Sequence, residues 1–313
     1  MRASLLPVLL LVAGCGADSI EDGCKNHIAG QHGSTAEELS IFSRITCYRK
    51  YVGLDQARIV TNITEAATNH AYYLEQNQTL TNDPYNWPYE YAGSVGYTGE
   101  DSFARLDASQ YFVETTATAF VWEVLILVDE DFSYEQLIDD YMVDPFFRDA
   151  FLAPSWEGGG YAEGSDPTWG RFGYMNIVLY FPSGSHSMRP VVYPQDGQVD
   201  VPTTWVRTFD DAAMDLPMET GMPISFTVGS ARITSGINPL EVMVKSSSIR
   251  GPSGELEHQV LLPGYYGGGV NWSTAILVPV DPLEPNTTYD VEVELSWIDQ
   301  NSRKEKLSFT TGA

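Results

Sequence analysis

Apolar residues recur at helical spacing along the first half of the chain and at strand spacing along the second. Ser34-Thr35-Ala36-Glu37 is a capping-box pattern. Leu39, Phe42, Ile45 and Tyr48 follow at near-helical spacing, and Gly53 ends the first predicted helix. A second helix is predicted through 57–77, with Ile59, Ile63, Ala66, His70 and Leu74 on one face. A third starts at Ser133, with Gln136 three residues on and an apolar face of Leu137, Ile138 and Tyr141. In DPFFRDAFLAP, 144–154, Asp144 caps a short helix, Pro145 takes its first position and Pro154 blocks its continuation. The stretch 115–128 is ambiguous, because TTATAFVW favours strand and WEVLILV fits either state. GGGYAEG and FGYMNIVLYF predict a hairpin joined by SDPTWGR.

The second half carries short β-type runs between prolines and glycines. Expected strands are 223–228, 240–246, 257–262, 273–280, 288–298 and 306–310. Such spacing suggests an immunoglobulin-like sandwich. Pro285-Asn286-Thr287-Thr288-Tyr289 resembles a tyrosine corner, in which the phenol bonds back to the preceding loop. YPQDGQVDVP, 193–202, resembles the opening of bacterial Ig-like modules, and SFTTG their last strand. This half reads as a spacer.

The N-terminus changes the picture of where the chain works. MRASLLPVLLLVAG has one basic residue and an apolar run far shorter than the ~20 residues of a spanning helix. Leu11-Val12-Ala13-Gly14-Cys15 resembles a bacterial lipoprotein box, which implies cleavage before Cys15 and a lipid on its sulfur. Gly16 after that cysteine is compatible with sorting to the outer membrane. With Cys15 lipidated, Cys24 and Cys47 are left to form a disulfide in an oxidising compartment. The expected organisation is 1–14 signal peptide, 15–33 tail, 34–181 first domain, 182–189 linker and 190–313 second domain. Without the leader the chain has 16 basic residues against 42 acidic ones, a surface that repels nucleic acid and anionic headgroups. Asp129-Glu130-Asp131 lacks the glycine and the twelfth-position Glu of a calcium loop and reads as a solvated acidic loop.

Three segments in order resemble the CAP superfamily, which includes cysteine-rich secretory proteins, insect venom antigens and plant pathogenesis-related proteins. They are GLDQARIVTNITEAATNHAYYLEQN, YTGEDSFARLDASQYFVE and SYEQLIDDYMVDPFFRDAFLAPSWEGGGYA. The resemblance implies an α+β chain: an α-β-α sandwich followed by the Ig-like domain. It also implies a cleft with two histidines and two glutamates. Glu114 matches one glutamate, while Asn82 and Phe147 stand where the histidines are expected. The second glutamate has no evident match. A phenyl ring has no lone pair to give a cation, so the expectation is a degenerate site with no tight zinc and no cofactor.

The remaining chemistry is sparse. His70 lies on the inward face of its helix, as a satisfied core residue or a remnant of the site. Glu114 is either a general acid or a structural acid that holds backbone N–H groups or pairs with Arg148, and Arg148 a structural ion or a substrate clamp. Tyr85, Trp87, Tyr89, Tyr91 and Tyr97 crowd a loop whose prolines and glycines exclude a helix. That loop could stack on sugars, cradle an apolar ligand, or fold onto its own domain. The triple glycines at 158–160 and 267–269 lack the Lys-Ser or Lys-Thr of a phosphate loop, and neither GxSxG nor HExxH occurs. The reading is a lipid-anchored envelope protein of the CAP type that binds an envelope glycan, an apolar small molecule or another surface protein. A hydrolase using Glu114 and a purely structural surface module are the alternatives.

Overall fold

The computed structural model describes residues 19–24, 34–82, 86–111, 118–128, 131, 133–181, 189–207, 216–228, 242–262, 274–297 and 301–313. In the first half, α1 (Ile20–Gly23) and α2 (Ala36–Tyr51) are joined by the Cys24–Cys47 disulfide, as the cysteine count implied. Thr35 caps α2, its hydroxyl accepting from the Glu38 amide at 3.1 Å. Glu38 does not complete a capping box. Its buried Oε1 accepts instead from the Thr64 hydroxyl at 2.6 Å and the Tyr161 amide at 3.0 Å. α3 (Thr61–Asn77), α4 (Thr79–Asn82) and α5 (Ser102–Ala108) follow, and Gln78 ends α3 in the left-handed region at φ 48°. Ser133 caps α6 (Tyr134–Val143) and Asp144 caps α7 (Pro145–Phe151), with Pro145 in its first turn.

The ambiguous stretch is strand β1 (Thr118–Leu127), which pairs antiparallel with β3 (Gly170–Phe181). β3 in turn pairs with β2 (Trp156–Asp166), giving the sheet order β1-β3-β2. Alternation sorts the side chains. Trp122, Val124, Ile126, Met175, Ile177 and Leu179 join a core with α2, α6 and α7. Val121, Val178, Phe172 and Tyr174 pack with α3 and α5 on the other face. The glycine run serves this packing. A Cβ on Gly160 would lie 2.2 Å from the Thr64 amide nitrogen, so α3 rests backbone to backbone on β2.

Among the described residues the second half is entirely β. One sheet has the order β10 (Gly254–Glu255), β9 (Met243–Gly251), β13 (Thr288–Trp297), β14 (Asn301–Thr311), β5 (Gln198–Val201). The other has β11 (His258–Leu261), β12 (Thr274–Pro279), β8 (Ile224–Thr227), β4 (Val191–Tyr193). A ribbon of β6 (Thr204–Val206) and β7 (Glu219–Gly221) lies beside them. Tyr289 accepts a 2.8 Å bond from the Glu284 amide, the back-bond expected of its corner.

Two expectations are corrected here. The second half is no detached spacer, since one continuous core runs from Ile41 and Phe42 of α2 through Phe151 of α7 to Tyr193, Phe226 and Leu277 of the sandwich. Nor is the chain the expected α+β pairing of an α-β-α CAP sandwich with an Ig-like module. Strand outweighs helix, and the two sandwich sheets, one with β14 parallel to β5, are larger than the three-stranded sheet of the first half.

Candidate functional site

A buried polar group lies between α3, the 86–100 loop, α5 and the face of β1 and β3 turned toward α3. Helical spacing from Ile63 and Ala66 turns His70 inward, and its side chain is fully buried. Its Nδ1 lies 2.8 Å from Glu90 Oε1 and its Nε2 lies 2.9 Å from the Trp87 carbonyl oxygen. Glu90 Oε2 accepts from the Thr98 amide at 2.6 Å and the Gly99 amide at 3.1 Å. Arg105, buried on α5, stands 3.9 Å from Glu90 and bonds to Glu123 of β1, which also accepts from the Tyr174 phenol of β3. His70 and Arg105 thus face the carboxylates of buried Glu90 and partly buried Glu123.

Burial pushes the Glu90 carboxyl up, but the His70 bond and the two loop amides outweigh it and hold it below the ordinary carboxylate value. For His70, burial is the larger influence and pulls the pKa down, against the Glu90 bond. The ring's partners weigh the other way. Both are acceptors, and an imidazole offers two donors only as the cation. A neutral ring would set a nitrogen lone pair against an oxygen inside the protein. Burial and the two acceptors thus act against each other at this ring, with burial the larger influence.

This network fixes the loop above it. Glu90 ties the loop's start to its end, the Tyr73 phenol accepts from the Tyr91 amide at 2.9 Å, and Asn77 Nδ2 donates to the Val95 carbonyl at 2.8 Å. Held this way, the loop turns its aromatics outward. Tyr89 is 50% exposed, Tyr91 53% and Tyr97 40%, with Tyr72 of α3 at 49% beside Gly96. Chemically the arrangement is a rigid base under an aromatic surface. His70 and Glu90 are sealed beneath it, so neither meets a bound molecule.

The side chains named from sequence are not gathered into one cleft. His70 lies in the buried network, and half-buried Trp87 packs edge-on against Tyr174 at 6.0 Å. Tyr89 is on the exposed surface. Asn82 is exposed at the end of α4, where its Nδ2 donates to the Asn77 carbonyl at 3.2 Å. Phe147 packs edge-on against Tyr141 at 4.4 Å on the opposite side of the sheet from His70. Arg148 is fully buried. It donates to the carbonyls of Met142 at 3.2 Å and Pro223 at 2.8 Å, under the ring of Tyr193. Glu114, Tyr85 and Cys15 lie outside the described residues. Glu90, Arg105 and Glu123 escaped notice because no local pattern marks an acid whose partners are 20 residues away.

No family model matches the chain, and no curated protein does. Among solved structures, CopC from Methylosinus trichosporium OB3b is 14% identical over 41% of this chain and 94% of its own, with a TM-score of 0.26. An outer surface protein from Borrelia burgdorferi is 15% identical over 48% and 98%, with a TM-score of 0.33. PcoC, a methionine-rich copper resistance protein from Escherichia coli, is 14% identical over 41% and 99%, with a TM-score of 0.24. Likenesses this slight assign neither a family nor an activity.

The CAP resemblance is overturned here. No model of that superfamily matches, and the reading of a degenerate CAP cleft falls with it. Copper does not transfer to this chain either. Among the described residues no three His, Cys, Asp or Glu side chains gather as a metal site, and both ring nitrogens of His258 are engaged, by Ser247 and the Leu256 carbonyl. The Cys24–Cys47 disulfide belongs to an oxidising compartment, which accords with a cell-envelope location. Among the described residues no helix is long and apolar enough to cross a membrane.

Proposed function

We propose that the chain is an envelope protein, anchored through a lipid on Cys15 in the outer membrane, that binds neutral carbohydrate on the aromatic surface of the 86–100 loop. The observation carrying this reading is the pairing of four outward tyrosines with a loop clamped from below by Glu90. Tyrosine joins an apolar face, which stacks on a sugar ring, to a hydroxyl that bonds its edge, and a fixed loop loses little entropy on binding. Charge selects the ligand. Glu100 and Asp101 are exposed next to the rings, and the chain has 42 acidic residues against 17 basic ones, so an anionic polymer would be repelled.

The test is calorimetric titration of the lipid-free protein with neutral cell-wall oligosaccharides. Replacing Tyr89, Tyr91 and Tyr97 together by Ala is expected to weaken binding at least about tenfold, at ~0.5–1.5 kcal/mol per ring. Unchanged affinity in that variant, with the fold intact, would refute the reading.

A further inference from the structure

The join between the two halves carries a titratable group that the carbohydrate reading does not use. Asp149 of α7 is 6% exposed, and its Oδ1 accepts across the join from the hydroxyls of Thr227 on β8, at 3.2 Å, and Thr274 on β12. These threonines face each other in the β12–β8 register, 2.9 Å apart through their hydroxyls. Next to it, Arg148 donates to the Pro223 carbonyl, and Phe146 meets Trp205 of β6 at 6.1 Å. Among the described residues the charged group facing Asp149 is Arg148, whose guanidinium also lies 4.9 Å over the Tyr193 ring of β4. The carboxylate thus sits in the join held by hydroxyls rather than by a bidentate cation.

We propose that α7 is a pH-sensitive clasp, closing the first half on the sandwich more tightly in acid and loosening as the medium turns alkaline. Two neutral hydroxyls compensate a buried carboxylate poorly and a carboxylic acid well. Burial accordingly pushes Asp149 from its ordinary 3.8 up to about 6, against the pull of Thr274, Thr227 and Arg148. A carboxyl raised in the closed state favours closure fully below its open-state value, and the benefit is lost as pH rises through about 6. From about pH 5 to about pH 8 the closed-to-open ratio is expected to fall about tenfold.

Hydrogen–deuterium exchange of the full chain, corrected for the intrinsic pH dependence of amide exchange, tests this. Protection in α7 and β8 is expected to drop about tenfold across that range, while β13 and β14 stay level. In Asp149→Asn the drop is expected to vanish. In Thr227→Val, which removes one hydroxyl and keeps the acid, the transition is expected to move to higher pH. A flat wild-type profile, the same slope in Asp149→Asn, an unmoved transition in Thr227→Val, or an equal change in β13 and β14 would each overturn the proposal.

Discussion

Replacing Glu90 by Ala removes the group on which the aromatic loop is hung. It strands the His70 Nδ1 proton, the Thr98 amide and the Gly99 amide, all of which the carboxylate accepts. It also leaves Arg105 with Glu123 as the one remaining carboxylate of the network. Breaking a buried charge pair from one side costs about 3–5 kcal/mol. Glu90→Gln is the informative control. Its carbonyl can take both loop amides while its NH2 donates to Nδ1 of a ring whose proton sits on Nε2, toward the Trp87 carbonyl, so all partners remain satisfied. Its expected cost is about 1 kcal/mol. Urea denaturation measures both variants. The carboxyl's lowered pKa adds a sign: the latch is intact above the ordinary carboxylate value and is lost as pH falls through the lower folded one. Equal stability losses for Ala and Gln would refute this account of the network.

Reducing the Cys24–Cys47 bond frees a loop of 23 residues and should lower stability by about 3 kcal/mol, read from denaturation with and without reductant. Gly160→Ala should cost about 3 kcal/mol or more, because its Cβ would meet the Thr64 nitrogen at 2.2 Å, backbone against backbone. Gly254→Ala, whose Cβ meets nothing within 4 Å, provides the comparison for backbone strain alone. A melting temperature for Gly160→Ala at or above that of Gly254→Ala would contradict the close approach of α3 to β2.

What could be read from the chain was local. Ser133 and Asp144 cap the helices they were expected to cap, because a cap and its amide lie within three residues, while the first helix is capped by Thr35, one residue after the Ser34 that its pattern implied. Tyr289 found its loop five residues back. Strands β4, β5, β6, β7 and β10 went unseen, being two to four residues long and defined by partners elsewhere in the chain. The glycine run at 158–160 looked empty of function, since its reason is the backbone of α3. The His70 network was half legible: the helix face showed that the ring points inward, and nothing local showed that an acid from a loop would meet it.

DPFFRDAF shows the same limit from the other side. Set against the CAP pattern, Phe147 looked like a missing ligand. In the structure the residues that matter are its neighbours Arg148 and Asp149, whose partners lie 75 to 125 residues further on, at Pro223, Thr227 and Thr274. Their orientation follows from the helix. Phe147 turns to Tyr141 within its own half, while the next two positions turn to the sandwich. The clasp and the aromatic loop therefore lie on opposite faces of the β1-β3-β2 sheet and share no side chain. Substitutions at Asp149 and Glu90 should then add within about 0.5 kcal/mol, as independent sites do. Coupling well beyond that would mean that the sheet transmits between them, and that closure of the clasp reaches the aromatic loop.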